Sequence, residues 1–142
     1  MSYPQQRVTL ITLGVADLDQ SKAFYAALGW HPQAEQDDVA FYQLHGMALS
    51  LFSLPALAAD QGRTRARLGT GAMTLAQNFD SPEEVDTAFA AALKAGASEL
   101  KAPEKTFWGG YAGYYADPDH HVWELAHNPF WPLADDGSLT LP

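Results

Sequence analysis

The sequence predicts an α+β fold: two tandem βαβββ modules forming a cupped mixed sheet with helices outside. Three observations lead there. The order strand, helix, strand, strand, strand is written twice. The helix-capping residues Asp17 and Ser81 stand 64 positions apart, and the closing glycines Gly29 and Gly96 stand 67 apart. Each half also carries one apolar helix face and a small sheet whose other face is left uncovered. Two such sheets side by side leave a concave inner surface of the kind that binds small ligands.

The first strand is read as Val8–Leu13, an alternating apolar run. Asp17 then caps a helix, with Gln20 three residues on as a capping box requires. That helix runs through SKAFYAAL, presents Phe24, Ala27 and Leu28 on one face, and closes at Gly29. A short polar stretch (33–36), the strand Val39–Leu44, a His45-Gly46 turn and the strand Met47–Phe52 complete the first module, about 7–54. A Pro/Ala/Arg-rich connection, about 55–70, follows.

The second module, about 71–128, opens with a strand at 72–76. Ser81, Pro82 and Glu84 mark a strong helix start, and Val85, Ala88, Phe89, Ala92 and Leu93 form a one-sided apolar stripe that core packing explains. Strands at 99–101, 112–117 and 121–126 come next, the last two joined by a tight DPDH turn. The tail, 129–142, is Pro-rich and holds Phe130 and Trp131, which could cover the cup or pack on a second subunit. The whole chain reads as one domain.

Composition narrows the function classes. Apolar residues make up 47% and charged residues 18%, enough for a sizeable core. A net charge of −9, from 8 Lys+Arg against 17 Asp+Glu, argues against nucleic acid. Arg63, Arg65 and Arg67 form the one basic cluster and read as a solvated linker. The absence of cysteine removes disulfides, thiol nucleophiles and thiolate metal sites. No apolar run approaches the ~18 residues of a membrane span, and MSYPQQRVTL lacks a signal-peptide layout. A cytoplasmic protein is the expectation. No serine stands in a GxSxG elbow, and the glycines match no phosphate-binding GxGxxG unit.

Two stretches, VTLITLGVADLDQSKAFYAALGW at 8–30 and GYYADPDHHVWELAHNP at 113–129, together with the 81–96 helix between them, carry a family resemblance. The chain resembles the vicinal oxygen chelate superfamily over about residues 8–128. That superfamily holds glyoxalase I, extradiol dioxygenases, fosfomycin-resistance enzymes and bleomycin-binding resistance proteins. The resemblance implies a homodimer, and a divalent metal in the cup held from the first and last strand of each half. Carried over position by position, those places are Leu10, Ser50, Ala72 and Glu124. Leucine and alanine have no lone pair to offer, and one carboxylate with a serine cannot build a three- or four-ligand site. The expectation is therefore no metal and no cofactor. The five histidines, at 31, 45, 120, 121 and 127, show no ligand-like spacing and read as surface or hydrogen-bonded groups.

Alternation on the last strand places Val122, Glu124 and Ala126 toward the cup, and Trp123 and Leu125 toward the helices. Leu10, Thr12, Ser50, Phe52, Ala72 and Thr74 share the cup with Glu124. The glycine-flanked aromatics Trp108 and Tyr111, with Tyr114, are candidates for its wall or lid, while Phe107 reads as core. The predicted function is binding of a small apolar or aromatic molecule in a metal-free cup. The alternative is an enzyme of lyase, isomerase or dioxygenase type, with Glu124 as general base or residual metal ligand and Tyr111 or Tyr114 as hydrogen-bond donor. A third class, a structural or regulatory dimer, requires a closed cup.

Overall fold

The computed structural model describes residues 6–142. Residues 1–5, part of the stretch read above as lacking a leader, lie outside the described residues.

The first module comprises β1 (Leu10–Val15), α1 (Leu18–Ala27), β2 (Ala34–Gln36), β3 (Val39–Gln43) and β4 (Ala48–Ser53). A short helix, α2 (Leu54–Asp60), follows directly. The second module comprises β5 (Thr74–Asn78), α3 (Pro82–Ala95), β6 (Ser98–Lys105), β7 (Tyr111–Ala116) and β8 (Val122–His127). Hydrogen bonding divides the strands into two four-stranded sheets, β1-β4-β3-β2 and β5-β8-β7-β6. In each, the first and last strands of the module pair in parallel and the others antiparallel, so the two halves share one mixed topology.

The helix ends follow the predicted chemistry. Asp17 accepts a hydrogen bond from the Gln20 amide at 3.1 Å, and Ser81 accepts one from the Glu84 amide at 3.2 Å. Gly96 ends α3 in the left-handed region at φ 113°, which a residue with a Cβ resists.

Several elements differ from the sequence reading, and two of them bear on the site. The segment at 54–60 is a helix rather than open connection, starting after Ser53 with Pro55 in its first turn. Seven residues are too few for helical periodicity to declare itself. The first strand of the second half is Thr74–Asn78, two residues later than read, and Ala72 lies ahead of it.

The core lies on the helix side of both sheets. Leu13, Val15, Leu49, Leu51 and Tyr42 of the first half join Val85, Phe89, Tyr115, Trp123 and Leu125 of the second in one cluster. The face assignment of Trp123 and Leu125 holds, for both are buried. The halves are tied through α1. Trp123 packs edge-on to Trp30 at 5.7 Å and donates its indole N–H to the Tyr25 hydroxyl at 3.1 Å. Tyr25 in turn donates to the Asp117 carboxylate at 2.6 Å. Asp119, in the β7–β8 turn, accepts from the Ala16 amide at 2.8 Å and the Ser21 hydroxyl at 2.5 Å. The DPDH turn thus grips the N-terminus of α1.

Candidate functional site

The strand registers fix what faces away from the helices. On the first sheet Thr12, Ser50 and Phe41 stand in one row across β1, β4 and β3. On the second, Ala76, Glu124, Tyr114 and Lys101 form the matching row across β5, β8, β7 and β6. Ser50 is therefore the counterpart of Glu124, as the sequence comparison had it. Leu10 and Thr74 each stand seven residues before their helix N-cap. Thr74, not Ala72, is thus the first-strand counterpart in the second half. The misplacement came from starting the strand two residues early.

Two polar pairs result, one on each sheet. The Thr12 and Ser50 hydroxyls are 2.7 Å apart, with Ser50 fully buried. The Tyr114 hydroxyl donates to Glu124 Oε2 at 3.0 Å, both side chains half-buried. Burial, with the neighbouring Glu124 carboxylate, raises the Tyr114 phenol above its ordinary value, so it stays protonated and donating at neutral pH.

The other candidates are distributed differently. Leu10 is exposed on the open face, and Thr74 and Ala72 are exposed as well. Phe52 borders a shallow depression with Val39 and with Ala56 and Ala59 of α2. This unforeseen helix lies against β1: a Cβ on Gly14 would meet Leu54 Cδ2 at 2.7 Å and Leu57 Cδ2 at 3.2 Å. It covers one end of the surface that the sequence left bare.

Tyr111 is not part of the concave row. Alternation places it on the helix side with Tyr115, and its hydroxyl donates to Asp86 of α3 at 2.7 Å. Trp108 folds back onto its own loop, its ring occupying the space where a Gly110 side chain would be. Phe107, read as core, is fully exposed. The loop explains this, for Thr106 and Gly110 bond to each other through both their amides and pinch the intervening residues outward. Phe41 was missed, although its alternation with the buried Ala40 and Tyr42 would have put it opposite the core.

The family's metal does not fit this donor set. Glu124 is the one carboxylate in the concave row, and its neighbours there offer a neutral hydroxyl, hydrocarbon or the Lys101 ammonium, which has no lone pair for a cation. Among the described residues, no three His, Asp or Glu side chains come together in a ligand-like group. Two histidines are spoken for: the His121 ring donates to the Gly14 carbonyl at 2.7 Å, and His127 to that of Phe79 at 3.0 Å.

The model of the Glyoxalase/Bleomycin resistance protein/Dioxygenase superfamily matches residues 7–125. The chain belongs to this superfamily. A glyoxalase-related enzyme from Fulvimarina pelagi is 38% identical over 96% of this chain and 99% of its own, with a TM-score of 0.90. Two further solved structures share the fold at 20% identity. One is a glyoxalase/bleomycin resistance protein/dioxygenase family enzyme from Burkholderia phytofirmans (84% of this chain, 96% of its own, TM-score 0.72). The other is a lactoylglutathione lyase from Agrobacterium tumefaciens (92% and 100%, TM-score 0.70). No curated protein matches the chain.

Proposed function

We propose that this superfamily member binds a small apolar or aromatic molecule against its concave sheet faces without a divalent metal, Glu124 and Tyr114 holding the molecule's polar end. The observation that carries the reading is the Tyr114–Glu124 hydrogen bond on the face turned away from the core. It fixes one carboxylate oxygen and leaves Oε1 with no donor among the described residues, able to accept from an N–H, O–H or cationic group of a ligand. Sequestration is the proposed role, and the net charge of −9 is compatible with a cationic partner. A cytoplasmic setting is proposed with it. Two copies are proposed to act together, because β1 and β5 are both edge strands and Leu10 and Leu100 are exposed.

A screen of aromatic and cationic compounds by thermal shift tests the binding. A stabilising compound is expected, weakened about tenfold or more by Glu124→Gln and less by Tyr114→Phe. A near-stoichiometric divalent ion in the purified protein, lost on Glu124→Ala, would overturn the metal-free reading. The second reading, acid–base catalysis by Glu124, draws on the same hydrogen bond, since an oriented carboxylate beside a phenol donor can move a proton. Turnover of a screening hit, abolished by Glu124→Gln, would decide for it.

A further inference from the structure

We infer that the cavity framed by α2, the 63–73 connection and the β7–β8 turn is a second site, built for a small organic anion on an apolar body. It adjoins the concave face, sharing Thr12 with it, and is opposite to the concave-face reading in charge preference. The cavity measures about 790 Å³, within the range of small-molecule sites, and neither Glu124 nor Tyr114 borders it. Leu54, Leu57 and Met73 supply apolar wall, and Arg63, Arg67 and His120 supply the polar contacts.

The charge distribution gives the cavity its sign. The whole chain has 8 Lys+Arg, and two of them line this one space in a protein of net charge −9. The ion pairs among the described residues involve Lys22 and Lys101, so neither arginine is paired with a carboxylate. Arg63 spends only its Nε–H, on Gln61 at 2.9 Å. The terminal guanidinium nitrogens are the donors that match a carboxylate or phosphate edge. One carboxylate, Asp119, also borders the cavity, and both of its oxygens are engaged by Ala16 and Ser21.

His120 is a second, separate pointer. The β7–β8 hairpin closes through His120 N–H to the Asp117 carbonyl at 3.0 Å and Asp117 N–H to the His121 carbonyl at 2.9 Å. The residue before the closing pair takes a left-handed backbone, here φ 68°. Glycine occupies that place without strain, so an imidazole held there costs conformational energy and borders the cavity.

Calorimetric titration with octanoate and octyl phosphate tests the site, with octanol and octylammonium as partners of equal apolar length. At least one anion is expected to bind about tenfold or more tighter than both controls, and the preferred head group identifies the anion. Combined Arg63→Ala and Arg67→Ala is expected to weaken it by about tenfold or more. Arg65→Ala, in the same run but outside the cavity lining, should leave affinity unchanged, as should Glu124→Gln. His120→Gly should raise the melting temperature while weakening the anion several-fold. The inference fails if octylammonium binds as well as the anions, if neither anion binds, or if Arg65→Ala equals the double variant. Loss on Glu124→Gln with retention in the double variant would move the anion to the concave face, sinking this site and sparing the small-molecule reading.

Discussion

A buried hydroxyl can either hold a protein together or weaken it, and two of the core tyrosines, Tyr25 and Tyr42, divide on that question. Tyr25 donates to Asp117 and accepts from Trp123, so its oxygen is fully used. The Tyr42 oxygen is buried with no hydrogen-bond partner among the described residues, packed between Tyr25 and Trp30. An unmatched buried polar atom carries its desolvation cost without return. Tyr42→Phe should therefore raise unfolding stability by about 1 kcal/mol, whereas Tyr25→Phe should lower it by about 1–3 kcal/mol by leaving Asp117 Oδ2 and the Trp123 indole N–H without their partner. Denaturant melts of the two variants beside the parent check both signs. The hydrogen bonds of Tyr25 were not legible in the sequence, because both partners stand more than ninety positions away.

Among the elements, α2 and β6 show how local patterns stop short. In β6 the chain runs Ser98–Lys105 with two register shifts against β7, which a three-residue strand at 99–101 did not anticipate. Pro103 accounts for much of this, since it donates no ladder hydrogen bond and presses directly over Gly113. A Cβ on Gly113 would lie 2.8 Å from the Pro103 backbone nitrogen, and backbone cannot step aside as a side chain can. Gly113→Ala should thus cost about 1–3 kcal/mol. Gly14→Ala meets only the flexible ends of Leu54 and Leu57 and should cost less, read from the same denaturant midpoints. If the two are equal, α2 is held more rigidly against β1 than its side-chain contacts indicate.

At the scale of the whole molecule, three core tyrosines set an alkaline limit. Burial pushes the Tyr42 phenol up to about 12, and it raises Tyr25 and Tyr115 as well, with the Asp117 carboxylate adding to both. A phenol raised in the fold favours the folded state fully below its unfolded value of about 10, and that contribution is lost as pH rises through the folded value. Stability should stay level to about pH 10 and fall above it, with tyrosinate absorbance of the buried rings appearing together with the loss of structure. Stepwise ionisation in an intact fold would contradict this.

The linear chain by itself determined the architecture: caps at Asp17 and Ser81, stops at Gly29 and Gly96, and the alternation that buries Trp123 and turns Glu124 the other way. Each is a short-range rule, satisfied within one helix turn or one strand. Tertiary structure alone decided what each side chain meets. It gave Tyr114 to Glu124 and Tyr111 to Asp86, laid α2 beside Gly14, and gathered Arg63, Arg67 and His120 around one cavity. Those partners come from separate elements, and only the packing that brings two sheets onto one core selects among them.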